Sequence, residues 1–252
     1  MPEIKRGEWT VIAGPCAAES CEQILLTAKS VMDSGAQYLR AGLWKPRTSA
    51  DSWQGSGDRG VEWMIEAKRQ TGVKLATEVK DTHSIDLTLR NGFELLWIGS
   101  RSAQHYPLLE EIGKATSDGR TIVMLKRGMG TDLKDWLGAA SYITRHNTNV
   151  ILCERGVRGF GTDTRNTPDL QTAWLAQKES GLPVIIDPSH AAGRADLITP
   201  MSLATKAAGL SGLIVEVHPD PANARTDSKQ QLNFEDFGRL MNRLRQIPSL
   251  NA

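Results

Sequence analysis

Eight short apolar runs, each followed by an amphipathic stretch, repeat from one end of this 252-residue sequence to the other. Few folds accommodate that rhythm. The runs fall at residues 10–13, 37–39, 74–77, 95–98, 121–125, 150–152, 183–186 and 213–215 and have the length of buried strands. Helical periodicity fits residues 21–33, 60–70, 85–90, 103–115, 133–146, 168–179, 197–208 and 234–246. Gly35, Gly72, Gly92, Gly181 and Gly209 follow predicted helix ends, and Thr167-Pro168 reads as an N-cap with proline at the first helical position. Strand–helix alternation means parallel strands joined by crossover helices, and eight such units in about 250 residues predict an α/β fold, a single (β/α)8 TIM barrel. A doubly wound open sheet is the alternative. No linker, low-complexity segment or charge block interrupts the pattern, so residues 1–252 are expected to form one barrel domain with no regulatory domain.

A barrel builds its site at the carboxyl ends of its strands and in the loops that follow. Strand by strand, those ends carry Cys16, then Arg40 with Lys45 and Arg47, then Glu78, Arg101, Lys126, Glu154 with Arg155, Asp187 with His190, and Glu216 with His218. Convergence on one rim argues for an enzyme. The segment from Leu39 to Ser49 concentrates Arg40, Lys45, Arg47, Thr48 and Ser49 around a proline. Pro46 fixes its own φ and biases Lys45 toward an extended conformation, so the flanking cations are aimed as in a phosphate-binding loop. Guanidinium offers a planar fork to phosphate or carboxylate, and ammonium a compact charge. Arg40, Lys45, Arg101, Lys126 and Arg155 form a cationic cluster that Arg47 extends outward, and at least two anionic ligand groups are expected there. Partly desolvated like charges cost several kcal/mol unless a ligand, or Glu78 and Glu154, neutralises them. Lys126 projects from a strand end, whereas the pattern leaves Arg127 open between inward and outward.

Thirty Lys and Arg against twenty-nine Asp and Glu give a net charge of +1, which offers no long-range attraction to nucleic acid or anionic membrane. The amino-terminal residues lack a signal peptide's apolar stretch and no run approaches the ~18 residues of a membrane span, so a soluble, cytoplasmic protein is expected. Three cysteines are too few for a disulfide framework, which leaves reduced thiols available as ligands. Cys16, after a small-residue turn, His190 behind strand seven and Glu216 at the end of strand eight come from adjacent strands of a closed barrel. Asp227, in the loop after strand eight, completes a mixed set of thiolate, imidazole and two carboxylates. Such a set suits a catalytic divalent ion with room for a substrate oxygen, unlike closed cysteine-rich structural zinc sites. His83, His105 and His146 read as surface or capping residues, and His218 as a neighbour of the ligands. Trp63, Trp136 and Trp174 are expected to pack helices on the barrel, with Trp44, Trp53 and Trp97 near the rim. Cys21 and Cys153 read as structural, although Cys21 is close enough in sequence to Cys16 to pair with it under oxidation when metal is absent.

Seven motifs stand together: Gly14-Pro15-Cys16, Lys45-Pro46-Arg47-Thr48-Ser49, Gly99-Ser100-Arg101, Leu125-Lys126-Arg127-Gly128, Cys153-Glu154-Arg155-Gly156, Asp187-Pro188-Ser189-His190 and Glu216-Val217-His218-Pro219. The set resembles the 3-deoxy-D-arabino-heptulosonate 7-phosphate (DAHP) synthases of the short bacterial Iβ type, over nearly the whole chain. That resemblance implies a metal-dependent transferase that condenses phosphoenolpyruvate with erythrose 4-phosphate at the first step of the shikimate pathway. It implies metal ligation by Cys16, His190, Glu216 and Asp227, with manganese the expected ion and iron, cobalt or zinc tolerated. Phosphoenolpyruvate would be held by Arg40, Lys45, Arg101, Lys126 and Arg155, and the aldose phosphate by Arg47 and Thr48. Lys45 and Glu78, with His190, are the expected catalytic groups. Partners would be small phosphorylated substrates, a second copy in a homo-oligomer, and a chorismate mutase domain or partner. The related 3-deoxy-D-manno-octulosonate 8-phosphate synthases typically carry Ala-Asn-Arg-Ser-Ser after the lysine, where this chain has Pro46-Arg47-Thr48-Ser49, which favours the shorter aldose. A non-catalytic metabolite-binding barrel with a structural metal is the reading of another class.

Overall fold

The eight apolar runs pair side by side, all parallel, and the last returns to the first, closing the barrel in the order β1 to β8. The computed structural model describes residues 4–45, 49, 51–161 and 163–248. Its strands are β1 (Thr10–Gly14), β2 (Tyr38–Arg40), β3 (Lys74–Glu78), β4 (Leu95–Ile98), β5 (Ile122–Lys126), β6 (Val150–Glu154), β7 (Val184–Ile186) and β8 (Gly212–Glu216). Around them lie α1 (Cys21–Asp33), α2 (Asp58–Thr71), α3 (Thr82–Arg90), α4 (Tyr106–Ala115), α5 (Leu133–Thr144), α6 (Leu170–Ser180), α7 (Pro188–Ala192), α8 (Ile198–Ala207) and α9 (Phe234–Gln246). The open-sheet alternative is excluded by the β1–β8 ladder, which runs from Thr10 opposite Gly212 to Gly14 opposite Glu216. No helix among the described residues is long and apolar enough to cross a membrane.

Two apolar layers follow from strand alternation. One set of side chains, including Ile12, Tyr38, Ala76, Leu95, Trp97, Met124, Ile151, Cys153, Ile185 and Ile214, fills the barrel interior, with Ile4 among them. The alternate set, including Val11, Leu39, Leu75, Leu96, Val123, Leu152 and Val215, packs against the helices. Because side chains alternate with period two, parity assigns each strand-end charge to a face. Arg40, Glu78, Lys126, Arg155, Asp187 and Glu216 share the parity of the interior set, whereas Arg127 and Glu154 belong to the helix-facing set.

Six strands extend past their predicted ends, to Gly14, Arg40, Glu78, Lys126, Glu154 and Glu216 in place of the last apolar residue, with β6 gaining two residues and the others one. A charged residue ends an apolar pattern without ending a ladder, so these side chains stand on paired backbone rather than on loops. Helix starts also shift. α3 begins at Thr82 because Asp81 and Ser84 form a capping box. α6 begins at Leu170 with Asp169 as its N-cap, not at Thr167-Pro168, since Thr167 is drawn into an antiparallel bridge with Val157. The short α7 is absent from the periodic reading, being too brief to show a period.

Two glycines let strands approach where a side chain could not. Gly14 has φ 151°, and a Cβ there would sit 2.1 Å from the Arg40 carbonyl oxygen; Gly212 has φ 153° and faces the Thr10 carbonyl at the same distance. Gly14→Ala should therefore part β1 from β2 and cost about 3 kcal/mol, read as a lower urea midpoint with an unchanged slope. A midpoint equal to that of the unsubstituted protein would contradict this account of the seam.

Candidate active site

Cys16 is the hinge of the mouth. It lies just beyond β1 with no exposure, its N–H donates to Gln231 Oε1 at 2.9 Å, and its carbonyl accepts from Arg40 Nη2 at 3.0 Å, Lys45 Nζ at 3.1 Å and Gly42 N at 3.1 Å. Lys45 Nζ also donates to Cys16 Sγ at 2.9 Å. Glycine at position 42 makes room for this reach, since a Cβ there would meet Cys16 O at 2.8 Å and Lys45 Cδ at 3.0 Å. Lys45 is itself pinned by its N–H to the Gln54 carbonyl, beside the Trp44–Gly55 bridge. Pro46, Arg47 and Thr48 lie outside the described residues.

The four predicted donors converge. One ligand atom each from Cys16, His190, Glu216 and Asp227 lies within 4.8 Å of the others, close to the roughly 4.4 Å that separates ligands on opposite sides of a divalent ion. Cys16 Sγ donates to Asp227 Oδ2 at 3.1 Å, and His190 Nε2 stands 3.5 Å from Glu216 Oε1. Glu216 Oε1 is buried without a hydrogen-bond donor among the described residues, although Arg40 Nη1 approaches it to 3.2 Å. A soft thiolate, an imidazole and two hard carboxylates, one with an orphaned oxygen, fit a divalent transition metal. Asp227 holds this place in the left-handed region at φ 51°, the one non-glycine with positive φ among the described residues. Arg165 Nη1 braces Asp227 Oδ1 at 3.2 Å, and Gln230 Nε2 donates to Glu216 Oε2 at 2.7 Å.

Across the mouth, Arg40, Lys45, Arg101, Lys126 and Arg155 line one pocket with Glu78 and His190. Trp97 floors it from the barrel interior rather than standing at the rim, with Arg40 at 5.0 Å and Lys126 at 5.5 Å from its ring centroid. Arg155 is buried and its Nη1 has no acceptor among the described residues; Ser100 Oγ lines the same pocket, equally unpaired. Buried donors without acceptors are what an anionic ligand satisfies. Glu78 faces the pocket over Gly99, where a Cβ would lie 2.0 Å from Glu78 Oε1.

Several expected members stand elsewhere. Glu154 does not neutralise the cationic cluster, because its parity turns it toward the helices, where it accepts from Arg127 Nη1 at 2.9 Å. Arg127 also reaches Asp169 at 3.0 Å and lies 5.8 Å from the Trp136 ring, which settles it as an outward structural cation. His218 is buried but outside the donor set: its Nδ1 accepts from the Asp220 N–H and its Nε2 lies 3.8 Å from Glu19. His83 pairs with Asp58, His146 with Glu110, and His105 precedes α4 without a side-chain capping bond. Trp136 packs inside and Trp63 rests against the core, but Trp174 is 44% exposed, correcting its expected packing role. Arg165, Gln230 and Gln231 carried no sequence signal, because their roles depend on loops meeting across the mouth.

Charge at the site follows from burial and pairing. Burial, reinforced by Glu216, pushes the Cys16 thiol up to about 12 against the pull of Lys45. Burial would also raise Asp227, but His190, the Cys16 hydrogen bond and Arg165 hold it at about 2. Glu216 is likewise lowered, as His190 and Arg40 outweigh its burial. Burial alone would lower Lys45, whereas Cys16 and Glu216 raise it. The metal-free site thus keeps a neutral thiol beside ionised carboxylates, and a bound cation would displace the thiol proton.

The fold and this mouth define a class: (β/α)8-barrel enzymes that handle small anionic molecules beside a candidate metal centre. Residues 4–249 match the model of the DAHP synthetase I family. The chain is 40% identical over 246 residues to the phospho-2-dehydro-3-deoxyheptonate aldolase of Thermotoga maritima, covering 97% of this chain and 71% of that protein. The crystal structure of that DAHP synthase superposes with a TM-score of 0.90 over 95% of this chain and 69% of the other, and a truncated form with 0.86 over 95% and 86%. The 2-dehydro-3-deoxyphosphooctonate aldolase of Rhizobium meliloti is more distant, at 28% identity over 93% of this chain and 88% of its own length. The chain belongs to the DAHP synthetase I family.

Since deprotonation must climb to about 12, alkylation of Cys16 in the metal-free protein should keep accelerating as pH rises past the ordinary thiol value of 9.0. Peptide mapping after iodoacetamide treatment checks this, and a rate that levels off near 9.0 would contradict it.

Proposed function

We infer that this protein joins phosphoenolpyruvate, erythrose 4-phosphate and water to give 3-deoxy-D-arabino-heptulosonate 7-phosphate and inorganic phosphate, the first step of the shikimate pathway. The observation that carries this is the facing of two half-sites in one mouth, a cationic pocket and a four-donor cluster. Cys16, His190, Glu216 and Asp227 would hold a divalent ion, for which manganese is the proposed occupant and iron, cobalt and zinc suit the same donors. When bound, the ion supplies Lewis-acid polarisation of the aldehyde oxygen.

The chain's own residues account for the remaining needs. Arg40, Lys45, Arg101, Lys126 and Arg155 hold the carboxylate and phosphate of phosphoenolpyruvate, placing its C3 to attack the aldehyde carbon. Lys45 stands between the two half-sites, within reach of Cys16, and is assigned the proton delivered to the developing alkoxide. The carbon–carbon bond leaves cationic character at C2, to which water adds. One proton leaves as water adds and another as the hemiketal collapses, expelling phosphate by C–O cleavage; Glu78, on the pocket wall, is assigned the first. Arg47 and Thr48 are assigned the aldose phosphate on the sequence of their loop. Homo-oligomeric assembly, a chorismate mutase domain or partner and a cytoplasmic location belong to the same reading, carried by the family resemblance.

Phosphate release from phosphoenolpyruvate should require erythrose 4-phosphate, fail with arabinose 5-phosphate, and vanish with chelator. No release with either aldose after metal reconstitution would sink the assignment. Arg47→Ala should raise KM for erythrose 4-phosphate roughly 10- to 100-fold, as expected for losing a charge-assisted contact of ~1.5–3 kcal/mol, with little change for phosphoenolpyruvate. Equal effects on both substrates would show the division of the loop to be wrong.

A further inference from the structure

Asp187 is completely buried at the carboxyl end of β7, where it caps α7, and its two oxygens receive three donors. Oδ1 accepts the His190 backbone N–H at 2.9 Å. Oδ2 faces His190 Nδ1 at 2.8 Å and accepts from Lys126 Nζ at 2.5 Å. One carboxylate oxygen thus touches both half-sites, the imidazole of the donor cluster and a lysine of the cationic pocket. An ionised carboxylate only accepts, so the His190 nitrogen facing it must carry hydrogen, and whenever the ring is neutral its bare lone pair lies at Nε2. That nitrogen is the one turned toward Glu216, at 3.5 Å.

We propose that Asp187 is a positioning residue that fixes His190 as its Nδ1–H tautomer, keeps Nε2 open for the metal, and ties that choice to Lys126 through a shared oxygen. The inference rests on the assignment of His190 as a metal ligand. Local structure supports the role. Pro188 sets φ at the first position of α7, and Gly193 closes the helix with φ 69° at a place where a Cβ would lie 2.7 Å from Arg165 Cβ. His190 is therefore held by a five-residue helix anchored at both ends, and its ring orientation is left to Asp187.

An asparagine at position 187 has nearly the same shape but one accepting oxygen for three donors. If that oxygen serves the His190 backbone N–H, the amide NH2 confronts Lys126 and Nδ1, and the ring relieves the clash by moving its hydrogen to Nε2. The metal then meets an N–H. Loss of such an orienting carboxylate typically lowers metal affinity 10- to 100-fold.

The test needs no turnover. Long-range proton–nitrogen correlation spectra of the metal-free protein, which has five histidines, taken at a pH alkaline enough to leave the rings neutral, report the tautomer of each, and His190→Gln assigns the signal. The wild-type protein is expected to show His190 as Nδ1–H, and Asp187→Asn as Nε2–H. Calorimetric titration with zinc should give 10- to 100-fold weaker binding for Asp187→Asn and partial recovery for Asp187→Glu. A wild-type Nε2–H tautomer overturns the proposal without any variant having to fold. So does an Asp187→Asn protein that binds zinc as tightly as wild type. Unchanged zinc affinity in His190→Gln is a distinct failure, which overturns the ligand assignment itself.

Discussion

Arg40 and Glu216 face each other across 3.2 Å with side-chain exposures of 2% and 0%, and the rest of the mouth is arranged around that buried pair. Taking both charges out of water costs several kcal/mol each, and their attraction offsets this only when further partners complete them. The partners are unevenly supplied. Glu216 receives Gln230 on one oxygen and keeps the other without a hydrogen bond; Arg40 spends one nitrogen on the Cys16 carbonyl and leaves two without acceptors. The imbalance has opposite signs on the two sides. A cation at the donor cluster and an anion over Arg40 would each complete one member, so the pair sits on the line between the half-sites and favours filling both.

Strand parity makes this possible in a closed barrel. Inward positions at the carboxyl ends hold Arg40, Glu78, Lys126, Arg155, Asp187 and Glu216, stacked above the apolar interior layer that ends in Trp97. The outward positions next to two of them, Arg127 and Glu154, pair with each other against α6 and Trp136. Adjacent residues of one strand thus do unrelated work. Lys126 meets the pocket and Arg127 binds the helical shell, although a sequence reader sees only two consecutive cations.

Much of this was legible in the sequence. Eight apolar runs at strand length with helical stretches between them specify the barrel because little else closes on that pattern, and the barrel then places Cys16, His190, Glu216 and Asp227 at or just beyond the carboxyl ends of the adjacent strands β7, β8 and β1. The strand ends were less legible, since the apolar signal stops at Leu39 or Leu125 while the ladder continues through Arg40 or Lys126. Glu154 was misassigned to the mouth because charge at a strand end says nothing of its face until the register is counted from a residue known to be inside. Gln230, Gln231 and Arg165 were invisible. Their contacts join the loop after β8 to the loops after β1, β6 and β7, which only the closed fold brings together. Trp174 shows the converse, an aromatic on a helix that the amphipathic pattern assigns to packing and the structure leaves at the surface.

The central claim is that one mouth holds a cation and an anion on opposite sides of the Arg40–Glu216 pair. Anomalous diffraction from crystals grown with manganese and phosphoenolpyruvate tests it most directly. The account predicts a single manganese peak in coordinating contact with Cys16, His190, Glu216 and Asp227, with the phosphoenolpyruvate carboxylate and phosphate lying among Arg40, Lys45, Arg101, Lys126 and Arg155. A manganese peak away from those four donors, or phosphoenolpyruvate bound outside the cationic pocket, would contradict it.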